Sequence, residues 1–226
     1  MFSVIILAAG SASRMDGINK QLAEIDGIPV FALSALKFQH SDKVKEIIIA
    51  CPEGREEEYS NIAAAHGITK KKAVVCGGAT RFLSVKNALT HIGEDCSHIA
   101  IHDGARPLIT TEDIDRVLDD AIKYEAAIAA APATDTVKFT DNYTICNTPP
   151  RNTLYYAQTP QAFDKHKYLA CCEKLGDKAE NATDDSCILE MCGERVHITE
   201  VTACNMKITR PADLAAARAI YKGDLI

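Results

Sequence analysis

The segment LAAGSASRMDGINKQ, near the start of the chain, combines small residues with one arginine and one lysine. Small residues let backbone N–H groups approach an anion closely, and a helix that begins nearby would add a favourable dipole. Arg14 and Lys20 add positive charge. The loop matches neither G-x-x-x-x-G-K-[ST] nor G-x-G-x-x-G, so it is either another kind of phosphate-binding loop or a surface turn with two solvated cations.

A second motif, IHDGARP, places Asp103 at the end of an apolar run and Arg106 three residues later. A carboxylate at the end of a buried strand can hold Mg²⁺, which keeps several waters and bridges phosphate oxygens. The alternative is a helix-capping carboxylate paired with Arg106. His102 should point to the opposite face of the strand, so we expect it to be packed rather than catalytic.

A third motif, CGGATRFLSVKNAL, brings two glycines to the end of another apolar run. Gly77 and Gly78 permit either close backbone approach to a flat ligand or a tight turn, and Ser84 either caps a helix or donates to a ligand.

The second half of the chain adds four further motifs, DTVK, RNTLYYAQTPQ, TDDS and NMKIT. There, Thr183 could simply cap a helix, and Lys207 could be a solvated residue of a short strand.

Hydrophobic periodicity predicts the strands and helices that would position these residues. Short apolar runs predict buried parallel strands at Ser3–Leu7, Glu46–Cys51, Ala73–Cys76 and His98–His102. Helical spacing predicts helices that begin at Pro29, span Ser84–Ile92 and begin at a Thr110–Thr111 cap. This alternation is typical of a doubly wound, mostly parallel α/β sheet, whose ligands bind outside the carboxyl ends of the strands.

The pattern changes after Pro132. Asp135–Phe139 and Tyr143–Cys146 alternate around a turn, which predicts a protruding β-hairpin, and Leu154–Gln158 is a further extended run. We interpret the chain, residues 1–226, as a single domain with an arm at about 134–158. The remaining predicted elements are helices over Lys165–Leu175 and Thr183–Cys192, a strand over Arg195–Val201 and a helix from Pro211.

Composition excludes several classes of function. The net charge of −6, with no long basic run, argues against a nucleic-acid partner. No apolar stretch reaches about 18 residues, and the first residues lack the pattern of a secretory signal, so we expect neither a secretory signal nor a membrane partner. The nine cysteines are odd in number and scattered, which favours reduced thiols in a cytoplasmic protein. A metal cluster of Cys187, Cys192, His197 and Cys204 is disfavoured, because no C-x-x-C pair is present.

Seven ordered blocks along the whole chain resemble the 2-C-methyl-D-erythritol 4-phosphate cytidylyltransferases of the non-mevalonate isoprenoid pathway. They are LAAG…RM…KQ, GG..R..SV.NAL, HDGARP, DT.K, R..L..AQTPQ.F, TDD and N.KIT.P.DL. The resemblance implies a Rossmann-like nucleotidyltransferase that joins CTP to a sugar-alcohol phosphate with release of pyrophosphate. It also implies dependence on Mg²⁺ and a homodimer whose hairpin arms embrace.

The same resemblance implies roles for individual residues. Arg14 and Lys20 match the catalytic pair, and Asp103 matches the metal ligand. The nucleotide-binding positions are Ala8, Ala9, Gly10, Gly77, Gly78, Ser84 and Asp103. The positions for the sugar phosphate, some of them reaching over from the partner chain, are Arg106, Thr136, Arg151, Thr159, Thr183 and Lys207.

The chain departs from the family pattern at three places. Ala12 stands where a second glycine is common, the Arg14–Lys20 interval is one residue shorter than usual, and Ala79 replaces a residue that is often acidic. The nearest alternative is a ribitol 5-phosphate cytidylyltransferase, but that group tends to have LAGG and HDAVRP. A nicotinamide-dependent oxidoreductase would need G-x-G-x-x-G. A non-catalytic nucleotide-binding module would be expected to have lost a residue such as Lys20.

Overall fold

A seven-stranded sheet with helices on both faces forms the centre of the protein in a computed structural model, which describes residues 1–10, 19–201 and 204–223. The strands are β1 Phe2–Leu7, β2 Glu24–Ile25, β3 Ile28–Pro29, β4 Val44–Cys51, β5 Lys71–Cys76, β6 His98–Asp103, β7 Ala126–Pro132, β8 Phe139–Asp141, β9 Thr144–Asn147, β10 Tyr155–Asp164 and β11 His197–Glu200. The helices are α1 Val30–Gln39, α2 Glu56–Ala65, α3 Arg81–Leu89, α4 Thr111–Tyr124, α5 Lys165–Leu175, α6 Asp185–Met191 and α7 Pro211–Lys222.

The strand order in the large sheet is β11-β7-β10-β6-β1-β4-β5. β10 runs antiparallel to both of its neighbours, and the other pairs are parallel. The predicted doubly wound, mostly parallel α/β architecture is therefore confirmed. No helix in the described part of the chain is long and apolar enough to cross a membrane.

Alternate side chains of β1 enter two separate hydrophobic cores. Val4 and Ile6 pack on one face of the sheet with residues of α1, α2 and α4, such as Phe31. Ile5 packs on the other face with residues of α3, α5 and α6, such as Tyr168. A strand that is covered on both faces has to be apolar throughout, as FSVIIL nearly is.

The strand register brings three chain segments together at one edge of the sheet. Leu7, the last residue of β1, pairs with Asp103 of β6 on one side and with Ala50 of β4 on the other. Beyond the strands, the Gly104 N–H donates to the Leu7 carbonyl at 2.9 Å, and the Ala8 N–H donates to the Ala50 carbonyl at 2.7 Å. The loops that follow these strands therefore lie side by side, where an α/β sheet binds its ligands.

Some predicted boundaries are wrong. The helix expected over Ser84–Ile92 begins at Arg81 and ends at Leu89, because Thr80 caps it by accepting the Leu83 N–H. The helix expected from Thr183 begins at Asp185. Lys207, expected in a short strand, lies in an irregular segment. The extended run near Leu154 is part of β10, which continues to Asp164 inside the main sheet.

The hairpin is present but shorter than predicted. β8 and β9 pair through a two-residue turn whose residues, Asn142 and Tyr143, have φ of 44° and 62°. Positive φ at both positions is typical of the type I′ turn, whose twist matches that of the strands. Asp135–Lys138, predicted as strand, is irregular. Every residue of β8 and β9 is exposed, so the hairpin projects from the body of the protein.

Candidate active site

A cleft of about 470 Å³ opens at the carboxyl ends of β1 and β6. Its described wall comes from the loops after β1, β5 and β6, the start of α3 and the segment before α7. The residues that line it are Leu7, Ala9, Gly10, Lys20, Gln21, Gly78, Ala79, Thr80, Arg81, Ser84, Asp103, Ala105 and Lys207. Three cations and a single carboxylate belong to this described wall, so the cleft is suited to anions.

Close packing explains the two glycines after β5. A Cβ added to Gly77 would lie 2.2 Å from the Cβ of Ala9, and one added to Gly78 would lie 2.3 Å from the Cβ of Leu83. Both distances are far below van der Waals contact, so neither position tolerates a side chain without rearrangement. Ser84 fixes the turn further, because its hydroxyl accepts the Gly78 N–H at 3.0 Å and donates to the Thr80 carbonyl at 3.0 Å.

Asp103 is the electrostatic centre of the cleft. Its Oδ2 lies 2.8 Å from Lys207 Nζ and 3.4 Å from Arg106 Nε, and its Oδ1 lies 3.9 Å from Arg81 Nε. Burial alone would raise the pKa of Asp103, but these three cations hold it well below its usual value. The carboxylate is therefore ionised at neutral pH, and the cluster keeps a local excess of positive charge.

Thr159 and His102 hold Asp103 from behind. The Thr159 hydroxyl oxygen accepts the Asp103 backbone N–H at 3.0 Å and lies 3.0 Å from His102 Nδ1. His102 Nε2 lies 3.3 Å from the Arg106 carbonyl, an acceptor, which assigns the ring proton to Nε2. The ring is wholly buried, with its centroid 4.9 Å from that of Phe38. His102 is thus packed away from the cleft, as predicted.

Burial of His102 should make stability depend on pH. Burial lowers the pKa of His102 to about 4, whereas an unfolded histidine titrates near 6.5. Between these pH values, residue 102 is protonated in the unfolded chain but not in the folded chain. The contribution of His102 to the free energy of unfolding is therefore fully present above pH 6.5 and decreases as the pH falls. The loss should reach about 3 kcal/mol at pH 4.

Urea denaturation at pH 7 and pH 4 checks this expectation. The pH-dependent loss should shrink by about 3 kcal/mol in His102→Gln, whereas His40→Gln, which removes an exposed histidine, should behave like the unmutated protein. An unchanged loss in His102→Gln would contradict it.

Comparison with known proteins identifies the family of the chain that forms this cleft. Residues 2–223 match the family model for 2-C-methyl-D-erythritol 4-phosphate cytidylyltransferase. The chain belongs to this family. The cytidylyltransferase of Alkaliphilus oremlandii is 40% identical over 97% of this chain and 94% of its own length. That of Halalkalibacterium halodurans is 38% identical over 97% and 96%.

Solved structures that resemble this chain have names that agree with the family. The 4-diphosphocytidyl-2C-methyl-D-erythritol synthase of Anaerococcus prevotii superposes with a TM-score of 0.87, at 29% identity, over 98% of both chains. The cytidylyltransferase of Thermus thermophilus gives a TM-score of 0.79, at 27% identity, over 97% of this chain and 98% of its own. The likeness thus covers the whole chain, including the segments that line the cleft.

The positions that the family resemblance assigns fall into three groups. Those that line the cleft are Ala9, Gly10, Lys20, Gly78, Ser84, Asp103 and Lys207. Those that lie behind its wall are Ala8, Gly77, Arg106 and Thr159. Those that are exposed and outside the described wall are Thr136, Arg151 and Thr183. Arg14 lies outside the described residues. The role of each position in binding or catalysis stays a prediction.

Sequence reasoning missed other residues that shape the cleft. Arg81 lines it, yet its place at the start of a helix gave no reason to assign it a role. Gln21 is also in the wall, and its Oε1 is buried without a hydrogen-bond partner among the described residues. Asn205 is wholly buried; its amide donates to the Thr159 carbonyl at 2.9 Å, and its backbone carbonyl accepts from Arg106 at 2.7 Å. Gln21 and Asn205 could have been found because they belong to the same motifs as Lys20 and Lys207.

The side-chain ligands in the cleft fit a divalent cation that binds together with a phosphate-containing substrate. Among the described residues, no group of three or more His, Cys, Asp or Glu side chains is arranged to hold a metal ion. Mg²⁺ usually binds through one or two carboxylates and substrate phosphates, while keeping several waters. The lone carboxylate of Asp103 in the cleft meets that requirement.

Proposed function

We propose that this protein transfers the cytidylyl group of CTP to 2-C-methyl-D-erythritol 4-phosphate and releases pyrophosphate. The observation that carries the proposal is the cleft, whose wall combines Lys20 with Asp103 and with the two cations paired to it, Arg81 and Lys207. Two polyanions must meet in this reaction, and a small cationic site at the strand ends of an acidic protein is suited to hold them. Family membership supplies the identities of the nucleotide and of the alcohol.

The chemistry requires charge stabilisation more than proton transfer. The substrate phosphate is largely dianionic at pH 7, because its second pKa is about 6, so its oxygen can attack the α-phosphorus of CTP without a general base. The bond to the β-phosphate oxygen then breaks, and pyrophosphate leaves with the electron pair. Lys20 in the cleft wall would neutralise charge on the α-phosphoryl group, and Lys207 would hold the phosphate of the sugar alcohol.

Asp103 would hold Mg²⁺ together with the phosphates of CTP. Bound there, the metal would neutralise charge on the triphosphate. Lys207 now occupies Oδ2 of this carboxylate, but its side chain is 40% exposed, so it can turn towards a substrate phosphate. Arg106 is 11% exposed and also donates to the Asn205 carbonyl, so it stays in place and keeps Asp103 ionised.

Asp103→Asn should raise the Mg²⁺ concentration needed for half-maximal activity at least about tenfold, because an amide is a poorer ligand than a carboxylate for a hard cation. Pyrophosphate release is measured across a Mg²⁺ titration at saturating CTP. Asp119→Asn, which changes an exposed carboxylate paired with Lys43, serves as the control. A Mg²⁺ dependence of Asp103→Asn equal to that of the control would contradict the assignment.

The hairpin supports a homodimer with composite active sites. Phe139, Tyr143 and Ile145 are 56%, 105% and 60% exposed on the hairpin. A two-stranded hairpin is at best marginally stable alone in water, so we expect it to pack against a partner subunit, as in the family. Arg151 lies in the same arm, where it would approach the sugar phosphate in the partner's cleft.

One assay tests the proposed activity. Purified protein receives CTP and Mg²⁺ with either 2-C-methyl-D-erythritol 4-phosphate or ribitol 5-phosphate, and pyrophosphate release is followed. We expect release with the methylerythritol substrate and much less with ribitol 5-phosphate; the reverse preference would refute the proposal. A cytoplasmic location stays a prediction, which the nine cysteines of the sequence favour.

A further inference from the structure

A buried carboxylate behind the cleft lacks a role in the chemistry described so far. Asp185 is the first residue of α6, and its side chain is 1% exposed. Its Oδ1 accepts from the Tyr168 hydroxyl at 3.0 Å, and its Oδ2 lies 2.6 Å from Arg81 Nη1. Removing a carboxylate from water is costly, so a hydrophobic residue would have been the more stabilising choice if the site served packing alone.

The surroundings hold Asp185 rigidly. Tyr168 is wholly buried, and its ring stacks on Phe163 with centroids 5.1 Å apart. Gln161, which is 1% exposed, accepts the backbone N–H of Asp185 through its Oε1 at 2.9 Å. Burial raises the pKa of Asp185, and the charge of Arg81 offsets part of that rise. The carboxylate is thus a fixed anchor, and its partner Arg81 is the more exposed of the two side chains.

Arg81 connects this anchor to the cleft. Its Nη1 contacts Asp185, while its Nε lies 3.9 Å from Asp103 Oδ1. Burial alone would lower the pKa of Arg81, but the two carboxylates raise it above its usual value. A guanidinium carries five N–H donors in a rigid plane, so the contact of Nη1 with Asp185 limits the directions in which the other donors can point.

Loss of Asp185 would leave Asp103 as the nearest carboxylate for Arg81. The distance of 3.9 Å allows a small rotation of the side chain to close that ion pair. Asp103 already lies 2.8 Å from Lys207 and 3.4 Å from Arg106, so a third close cation would reorganise the cluster. Arg81 would then turn its donors towards Asp103 rather than towards a ligand.

We propose that Asp185 is a positioning residue, which holds Arg81 in the wall of the cleft so that the guanidinium binds phosphate oxygens of the substrates. The proposal rests on the proposed cytidylyl transfer and adds two residues to it. Arg81 touches the substrate, whereas Asp185 acts through Arg81.

A double-mutant cycle tests this assignment. kcat and the two KM values, for CTP and for the sugar phosphate, are measured for Asp185→Asn, Arg81→Ala and the double variant. Each single change should lower kcat/KM about tenfold, and the double variant should match Arg81→Ala, because residues in one charge network are coupled. The KM that rises identifies which substrate's phosphate Arg81 binds. If the two losses multiply in the double variant, Asp185 does not act through Arg81.

A matched control separates positioning from folding. Asp113 is also a buried carboxylate in the first turn of a helix, and it pairs with Arg116 at 3.0 Å on α4, whose buried side faces the core. Asp113→Asn should lower the melting temperature without the tenfold loss of kcat/KM. If Asp185→Asn behaves in the same way, its role is structural and the proposal fails.

Two further measurements decide the remaining cases. If Asp185→Asn does not fold, Tyr168→Phe replaces it in the cycle, because it keeps the carboxylate and removes a single hydrogen bond. Tyr168→Phe should lower kcat/KM in the unmutated background and have no effect on Arg81→Ala. If the unmutated protein shows no transferase activity, the proposed function fails, and calorimetric affinities for CTP and for the sugar phosphate then decide the role of Asp185. If Asp185→Asn, or Tyr168→Phe where it stands in, matches the unmutated protein in both affinities, the positioning role is refuted.

Discussion

Lys20→Ala should slow the chemical step at least about 100-fold, a loss of about 3 kcal/mol of transition-state stabilisation, while CTP binding weakens much less. Lys20 lines the same cleft as Asp103, the last residue of β6. Charge moves there from the attacking phosphate to the departing pyrophosphate. An oriented cation lowers the barrier only to the extent that it interacts more strongly with the transition state than with the bound substrate.

Single-turnover kinetics with excess enzyme measure the chemical step, and CTP affinity is measured separately by calorimetry. Lys43→Ala, which removes a lysine from a surface ion pair with Asp119, controls for the loss of one positive charge. A Lys20→Ala variant that keeps its chemical rate and loses only CTP affinity would show that Lys20 binds the ground state alone.

Combining two inactive variants, Lys20→Ala and Arg151→Ala, should restore about a quarter of the unmutated activity. Arg151 is exposed in the arm, with its Nη1 donating to the Thr134 carbonyl at 3.0 Å, and it lies outside the described wall of its own cleft. If each site takes Lys20 from one chain and Arg151 from the other, a mixed dimer has one site with both defects and one with neither. Random pairing gives about half mixed dimers, each with one intact site of two.

The experiment unfolds and refolds an equal mixture of the variants, and native mass spectrometry verifies the mixed dimers. Each variant refolded alone provides the baseline. Activity that stays at the baseline while mixed dimers are present would place Arg151 within its own site or assign it a purely structural role.

The sequence predicted the parts of the fold that depend on local pattern. β1 and β6 are apolar because both faces of each strand are covered, so their positions and the location of the cleft at their ends followed from hydrophobic runs. Asp103 was identified because it ends such a run. Its three cationic neighbours were not all foreseen, since Arg81 and Lys207 come from segments 22 and 104 residues away along the chain.

Long-range pairing explains most of what sequence reasoning missed. The run near Leu154 reads as an extended segment and pairs with β7 alone, but the continuation of β10 over Gln161–Phe163 is held between β7 and β6 by contacts with both strands. Lys207 was expected in a short strand; the segment is instead held as irregular chain by buried Asn205 and by the Ile208 N–H, which donates to the Ala105 carbonyl at 2.8 Å. The motif TDDS assigned no role to Asp185; its neighbour Asp184 caps α6, and the pairing of Asp185 with Arg81 joins segments 104 residues apart along the chain.

A competition experiment tests the central claim most directly. The protein is supplied with CTP, Mg²⁺ and equal concentrations of 2-C-methyl-D-erythritol 4-phosphate and ribitol 5-phosphate, and the cytidine diphosphate products are separated by mass. Lys20→Ala provides the blank. We predict that 4-diphosphocytidyl-2-C-methyl-D-erythritol is the dominant product and that pyrophosphate forms in equal amount. A majority of the ribitol product, or no cytidine diphosphate product above the blank, would contradict this account.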